Sequence, residues 1–396
     1  MKKILLLLSL LVGVLALVFV VLKLKSYLAI GVLDTSITQS VSPTSLQSNF
    51  LKASVNYKVE SVVEGLYVPW SIVFTSVDRM LVTERSGAIR VVQKNKLLPQ
   101  PLMKFPEVSD KGEEGLMGLA MDPEYSKNKF LYACLAYASG KNLQNKVVRL
   151  KDEGDTAVVE KQLLDAIPSA TNHAGCRVRF GPDAKLYVTT GDATTKEIAQ
   201  DMNSLGGKIL RMNSDGSIPA DNPFPNSYVY TLGHRNSQGI AWQPGTGQLF
   251  ATEHGPTVFD GPAGGDEVNA IMAGQNYGWP TVHHKLHQDG MIDPVLEFTP
   301  AVAPSGAMFY SGDIFPQLQN NFLFALLKGE GIMRVEFSNE DPSKVERVSK
   351  LNGITVGRIR EVEQGPDGFI YFATSNRDGR GKVRGGDDHI YRLIPE

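Results

Sequence analysis

The sequence has few cysteines and lacks several motifs that would assign a function by themselves. Its 396 residues include only two cysteines, Cys134 and Cys176, and no Cys-x-x-Cys pair, which argues against a cysteine zinc site. A phosphate-binding P-loop and a Gly-x-Ser-x-Gly nucleophile motif are also absent from the sequence. Because both cysteines lie in apolar stretches, we expect two buried free thiols, with a single disulfide as the alternative.

An excess of charge of either sign is lacking as well. The 40 Lys and Arg residues nearly balance the 42 Asp and Glu residues, for a formal net charge of -2. Bulk charge therefore predicts binding neither to nucleic acid nor to an acidic membrane surface. Any site for an anion must come from a local cluster of cationic side chains.

Long amphipathic helical patterns are nearly absent after residue 50, where short strands alternate with turns rich in Gly and Pro. Three segments are near-copies of a strand, a turn and a second strand, at residues 179–191, 242–253 and 364–375. With looser copies they make about six units at a pitch of roughly 60 residues. This repeat predicts an all-β fold, a six-bladed β-propeller, and a large β-sandwich would not explain it.

Each copy also carries a further apolar strand that we expect on the outer side of its blade. These strands lie at residues 88–92, 146–150, 208–212, 332–336 and 389–393.

The N-terminal end has the pattern of an export or membrane segment. Lysines flank an unbroken apolar run over residues 4–22, which is long enough to cross a bilayer core. We expect residues 1–25 to be a membrane anchor, with a cleaved signal peptide as the alternative. Residues 26–56 read as a polar tether and residues 57–396 as the propeller. Both alternatives place the propeller outside the cytoplasm, in a periplasmic or other extracytoplasmic location.

Two side chains that can do chemistry open similar stretches of sequence. His173 lies in Thr171-Asn172-His173-Ala174-Gly175, and Arg235 lies in Gly233-His234-Arg235-Asn236-Ser237-Gln238-Gly239. A short apolar strand, a turn and a second strand follow each of them. Equivalent positions of successive blades face a shared space near the axis, so we expect His173 and Arg235 to converge on one pocket. An enzyme active site is the first hypothesis.

The motifs resemble those of the soluble quinoprotein sugar dehydrogenases, also called glucose/sorbosone or aldose sugar dehydrogenases, which use pyrroloquinoline quinone (PQQ). The matching motifs are collinear from about Tyr57 to the end of the chain. They are Pro69-Trp70-Ser71, Gly112-Glu113-Glu114-Gly115-Leu116, Asn172-His173-Ala174-Gly175, Gly207-Lys208-Ile209-Leu210-Arg211, Asp221-Asn222-Pro223-Phe224, Gly233-His234-Arg235-Asn236, Glu253-His254-Gly255-Pro256, Gly264-Gly265-Asp266-Glu267-Val268-Asn269, Gly274-Gln275-Asn276-Tyr277-Gly278-Trp279-Pro280 and Gly357-Arg358-Ile359-Arg360-Glu361-Val362. The resemblance implies a six-bladed propeller that oxidises aldose sugars at C1 to lactones with PQQ and calcium.

The resemblance also implies roles for single residues. His173 matches the general base that takes the C1 hydroxyl proton, a task suited to a neutral imidazole near pH 7. Arg235 and Asn236 match a cofactor-binding pair, with the guanidinium beside a quinone oxygen. Arg358 and Arg360 alternate along one predicted strand and so share a face. Together with Lys328 they match a clamp for the three carboxylates of PQQ; a solvent-facing pair of arginines is the alternative.

Calcium and one unusual glutamate complete the expectations. Gly255 and Pro256 match backbone-carbonyl ligands of a cofactor-bound calcium, and Glu267 with Tyr277 matches a second, structural calcium. Glu113 stands where the family often has Gln as a cofactor contact. Its carboxyl group would be protonated there, or would face calcium or sugar instead.

A segment near the first calcium differs from some relatives. Residues 257–263 are an insert between His254-Gly255-Pro256 and Gly264-Gly265-Asp266. The loop geometry next to the proposed metal therefore depends on this insert.

Two other functions are candidates, a non-enzymatic binding ectodomain and a calcium-dependent lactonase. A lactonase would need several acidic side chains on the axis. The partners that we expect are an aldose sugar, an external electron acceptor and a membrane through the N-terminal segment, but not nucleic acid.

His283, His284 and His287 have a zinc-like spacing but lie in a predicted loop, where a role at the substrate rim or in solvent is favoured.

Overall fold

Six antiparallel sheets make up the fold over residues 55–338, 341 and 344–396, the part of the chain that the computed structural model describes. The first strand, β1 (Tyr57–Val63), belongs to the last blade. Blade 1 contains β2 (Pro69–Ser76), β3 (Arg79–Glu84), β4 (Ala88–Gln93), β5 (Lys96–Leu97) and β6 (Met103–Lys104). Blade 2 contains β7 (Leu116–Met121), β8 (Phe130–Ser139), β9 (Asn142–Asp152) and β10 (Ala157–Ser169).

The remaining blades repeat the four-stranded plan. Blade 3 contains β11 (Gly175–Phe180), β12 (Leu186–Thr190), β13 (Lys208–Met212) and β14 (Val229–Leu232). Blade 4 contains β15 (Ser237–Trp242), β16 (Leu249–Glu253), β17 (Asp266–Ile271) and β18 (Leu296–Phe298). Blade 5 contains β19 (Pro304–Phe309), β20 (Phe322–Leu326), β21 (Gly331–Phe337) and β22 (Val345–Lys350). Blade 6 contains β23 (Ile359–Gln364), β24 (Ile370–Thr374), β25 (Ile390–Pro395) and β1.

The first strands of the blades form a closed ring. Each of β2, β7, β11, β15, β19 and β23 contacts the next one, and β23 returns to β2. The ring is closed within blade 6, where β1 pairs antiparallel with β25. A chain whose two ends share one sheet leaves no open edge between the first and last blades. The predicted six-bladed propeller is confirmed, and the β-sandwich alternative is wrong.

The repeat is visible in side-chain contacts as well as in strands. In blade 3 the Tyr187 hydroxyl donates to Asp183 at the hairpin turn (2.9 Å), and in blade 6 Tyr371 donates to Asp367 in the same way (2.7 Å). All residues of β12, β16, β20 and β24 are buried, because each of these strands packs between two neighbouring blades. The five strands expected on the outer side are the third strands of their blades, and a further strand lies outside each of them.

Within the described residues, helical structure is limited to short segments. One α-helical turn, α1 (Tyr125–Asn128), and two 3₁₀ turns, Lys196–Ala199 and Pro316–Leu318, connect strands. Among the described residues, none of the helices has the length and apolar character needed to cross a membrane. The predicted anchor or signal segment, residues 1–25, lies outside the described residues, as does the predicted tether up to residue 54.

Cys134 and Cys176 form a disulfide, so the expectation of two free thiols was wrong. Cys134 lies in β8 of blade 2 and Cys176 is the second residue of β11 in blade 3, with their Cα atoms 5.7 Å apart. Both cysteines are completely buried in the core between these blades. Apolar flanking residues indicate that a cysteine is buried, but they do not indicate which strand of another blade lies opposite.

Candidate active site

A cavity of about 1090 Å³ opens at one edge of the propeller. Its lining residues mostly lie just before the first strand of a blade or just after the second strand. These two positions meet at the same edge because adjacent strands of a blade are antiparallel. Eight of the eleven predicted site residues line this cavity: Glu113, His173, Arg235, Gly255, Pro256, Lys328, Arg358 and Arg360.

His173 is held by a buried carboxylate that sequence reasoning missed. Its Nδ1 lies 2.7 Å from Oδ1 of Asp192, whose Oδ2 accepts a hydrogen bond from Trp279 Nε1 at 2.8 Å. A carboxylate only accepts, so Nδ1 carries the ring proton and Nε2 is left as the acceptor. The backbone of His173 is left-handed, with φ of 57°, an uncommon conformation for a residue other than glycine. The signal available in the sequence was its position, since Asp192 lies two residues after the end of β12.

Arg235 is fixed on three sides. Its Nε donates to Asp260 Oδ2 at 2.8 Å, and its Nη1 donates to the His254 carbonyl at 3.2 Å. The guanidinium carbon lies 5.5 Å from the centre of a Trp279 ring. Within the described part of the chain, the buried Nη2 has no acceptor. Asp260 belongs to the insert at residues 257–263, so the insert supplies the counter-ion of a predicted cofactor ligand.

Arg358 and Arg360 share the cavity face, as their alternation predicted. Arg358 donates to Asp378 through Nε and Nη2, at 2.9 and 2.7 Å. Arg360 instead donates through Nη1 to Gln238 Oε1 at 2.7 Å, and none of the described carboxylates lies within 4.0 Å of it. Burial lowers the pKa of Arg360 to about 10, an effect that Asp378 opposes and Arg358 reinforces. Arg360 is therefore a buried cation that is short of a counter-ion.

Glu113 is ionised rather than protonated. Its carboxylate accepts hydrogen bonds from Arg380 Nη1 at 2.6 Å and from the His173 backbone N–H at 3.2 Å. Burial raises the pKa of Glu113, but electrostatic interactions with His254, Arg380 and His173 and the hydrogen bond from the His173 N–H outweigh burial and lower that pKa to about 2. The same Arg380 donates to Asn172 Oδ1 at 3.1 Å, so it joins the two loops that frame the predicted base.

Asn236 lies outside the lining of the large cavity. It is completely buried behind it, and its Oδ1 accepts from the Gly175 backbone N–H (3.1 Å) and from Gln238 Nε2 (3.0 Å). Its Oδ1 thus supports the strand that follows His173, while its Nδ2 has no acceptor among the described residues, and its predicted contact with the cofactor stays a prediction.

Glu267 and Tyr277 line a separate, small cavity of about 10 Å³ that also touches Gly255 and Pro256. Burial, with the nearby Glu253 carboxylate as the next cause, raises the pKa of Glu267 to about 8. No group of three or more His, Cys, Asp or Glu side chains in the described residues is arranged to hold a metal ion.

The three histidines with zinc-like spacing do not form a common site. Nδ1 of His283 lies 3.0 Å from Nδ1 of His284, whereas His287 is exposed and pairs with Asp293 at 2.8 Å. The loop location predicted for them is confirmed, since they lie between β17 and β18.

The cavity carries an excess of positive charge. Eight cationic and six acidic side chains line it. Sequence reasoning missed four of the cations: Arg85, Lys111, Lys196 and Arg380. Three buried guanidinium nitrogens at this cavity, Arg85 Nε, Arg235 Nη2 and Arg360 Nε, have no acceptor among the described residues. Because buried polar groups are nearly always hydrogen-bonded in folded proteins, the cavity is built for an anionic guest with several acceptor oxygens.

Comparison with known proteins places this geometry among sugar dehydrogenases. A family model described as glucose/sorbosone dehydrogenase matches residues 66–391. The aldose sugar dehydrogenase YliI of Escherichia coli is 29% identical over 358 residues, which cover 84% of this chain and 94% of the relative.

Two solved structures are also similar. A Thermus thermophilus protein described as a putative oxidoreductase (glucose dehydrogenase) is 41% identical, with a TM-score of 0.78 over 85% of this chain and all of that chain. The PQQ-bound aldose sugar dehydrogenase of Streptomyces coelicolor is 34% identical, with a TM-score of 0.75 over 86% of this chain and 98% of that chain.

Proposed function

The chain belongs to the glucose/sorbosone dehydrogenase family, and from that premise we propose that it is a PQQ-dependent oxidoreductase that converts aldose sugars to lactones. The names of its relatives support a sugar dehydrogenase activity, and the PQQ-bound neighbour supports the cofactor. The observation that carries the proposal is the set of unsatisfied arginine donors at one cavity that also contains His173.

The residues present fit PQQ. The cofactor has three carboxylates and two quinone oxygens, and the cavity offers arginine nitrogens that lack acceptors within the described chain. Arg358, Arg360 and Lys328 would hold carboxylates, and Arg235 would donate to a quinone oxygen. When bound, the cofactor supplies the quinone that takes up the hydride from C1 of the sugar.

The protein's own part in the reaction is proton transfer and positioning. His173 accepts the C1 hydroxyl proton at Nε2, because Nδ1 is already bonded to Asp192. Asp192 keeps the ring oriented and stabilises the imidazolium that forms. Arg235 would donate from Nη2, which has no acceptor among the described residues, and so would stabilise negative charge on the bound cofactor. Loss of a hydride and of a proton converts the sugar to the lactone.

Calcium is part of the proposal. Backbone carbonyls of Gly255 and Pro256 would serve one ion, and Glu267 with the Tyr277 carbonyl a second. Carbonyl and carboxylate oxygens suit this hard cation. Burial and then the neighbouring Glu253 carboxylate raise the pKa of Glu267, and a cation bound there would favour its ionised form.

The test is a titration of the apoprotein with PQQ, with and without calcium, followed by dye reduction over a panel of aldoses. We expect binding that shows in the cofactor absorbance and sugar-dependent dye reduction that His173→Gln abolishes. Binding without turnover on any sugar would favour the non-enzymatic ectodomain, and absence of binding would overturn the proposal.

The N-terminal segment and the redox partner extend the proposal outside the described residues. We propose that residues 1–25 export the propeller and anchor it, and that an external acceptor reoxidises the cofactor. Fractionation of cells that express the full chain tests the location. Recovery of the protein in the cytoplasm would contradict export.

A further inference from the structure

Arg85 is a buried arginine at the cavity that neither the motif comparison nor the catalytic proposal uses. It follows β3 directly, its relative exposure is 9%, and it lines the large cavity. Its backbone N–H donates to the Val68 carbonyl at 3.1 Å, and its own carbonyl accepts from Leu116 N–H at 3.0 Å. The position of this residue is therefore fixed from two neighbouring strands.

The loop of blade 2 packs tightly over the stem of Arg85. Gly115 has a φ of 155°, and a Cβ atom there would lie 2.3 Å from Arg85 Cγ. Only a residue without a side chain leaves room for the arginine at this point. The arginine stem is thus enclosed by backbone, while its guanidinium reaches the cavity.

The Nε atom of Arg85 is buried without a hydrogen-bond acceptor, and its guanidinium forms no hydrogen bond or ion pair with residues 55–338, 341 and 344–396. Each of the other buried arginines donates at least one hydrogen bond. These are Arg177, Arg211, Arg235, Arg334, Arg358 and Arg360. An arginine that served only to stabilise the fold would be expected to have a partner of this kind, because an unpaired buried charge is costly.

Arg85 also lies near a second unneutralised cation. Its charge contributes to lowering the pKa of Arg360, so the two guanidinium groups repel one another. Asp378 and Glu113 offset this repulsion only in part, since the pKa of Arg360 stays lowered, and an anionic ligand would supply the remaining negative charge.

We propose that Arg85 binds a carboxylate of the cofactor together with Arg360, as a cationic ligand additional to Arg358 and Lys328. This inference rests on the proposed function, since it assigns one more contact to the same polyanionic guest. It differs from a structural role in a measurable way. Removal of Arg85 weakens the cofactor complex but leaves the stability of the apoprotein unchanged or higher.

The experiment compares apoproteins by PQQ titration, followed by tryptophan fluorescence, and by thermal melting without cofactor. The variants are Arg85→Gln and Arg85→Lys. The matched control is Arg392→Gln, which removes a half-buried arginine that pairs with Glu60 and is not among the cavity-lining residues. We expect Arg85→Gln to raise Kd by about ten- to a hundredfold with an unchanged or higher apoprotein Tm. The control should leave Kd unchanged.

The outcomes separate the two proposals. If the wild type binds PQQ and Arg85→Gln binds it with the same Kd, the proposed role of Arg85 is overturned, but the proposed function is not. Failure of the wild type to bind would overturn the proposed function and this inference with it. If Arg85→Gln lowers the apoprotein Tm, Arg85→Lys decides: tighter binding than Arg85→Gln supports the charge-based role, and equally weak binding refutes it.

Discussion

The disulfide between blades 2 and 3 allows a quantitative prediction. Its two cysteines are 42 residues apart in sequence and belong to β8 and β11. Closing a loop of that length in the unfolded chain reduces its entropy by an amount worth about 4 kcal/mol at 25 °C. For a domain the size of residues 53–396, the unfolding entropy is about 0.7 kcal/mol/K, so loss of the bridge should lower Tm by about 6 °C.

The perturbation is the double variant Cys134→Ala and Cys176→Ala, compared with wild type by calorimetry with and without reductant. Both cysteines are completely buried, so reductant should act on the wild type only as it unfolds. The double variant serves as its own control, because reductant should not change its Tm. Thiol titration of the denatured wild type should find no free thiol before reduction.

Two results would refute this reasoning. One is a titre of two free thiols in the denatured, unreduced wild type, which would restore the expectation from sequence. The other is an identical Tm for wild type and double variant under oxidising conditions, which would mean that the bridge does not limit the unfolded chain.

Three further predictions concern the cavity. Asp192→Asn should lower turnover by about 10²–10⁴-fold at saturating PQQ, while the Kd for the cofactor stays within about twofold of wild type. Unchanged turnover in the dye assay would contradict the role of Asp192 in positioning His173. Glu113 has a folded-state pKa of about 2, below its ordinary value of 4.5. It therefore stabilises the fold above about pH 4.5 and loses that contribution as pH falls toward 2. Glu113→Gln should show a shallower loss of stability over that window in urea titrations, and equal slopes would rule the effect out. Asp260→Ala should leave Nε of Arg235 without its ion-pair partner and lower turnover about tenfold or more. Phe259→Ala, in the same insert, should leave that ion pair intact. Equal losses of turnover in the two variants would count against a role for the Arg235–Asp260 pair.

Much of the site follows from local sequence and blade position. His173 and Arg235 occupy equivalent places before the first strands of successive blades, and both line the same cavity. Arg358 and Arg360 share one face because side chains alternate along a strand. Asp192, two residues after β12, could have been found by the same rule, since the end of the second strand of a blade lies beside the start of the first.

The sequence by itself determined the six-fold repeat, the all-β architecture and the shared face of Arg358 and Arg360. These features depend on the two-residue period of a strand and on the repeat of one blade along the chain. Only the tertiary structure decided which side chains meet across blades. Arg380 reaches Glu113 from 267 residues away, and Cys134 meets Cys176 across a blade boundary. Such pairings depend on how closure of the ring angles each blade against the next. That closure is a property of the whole chain, and no local pattern specifies it.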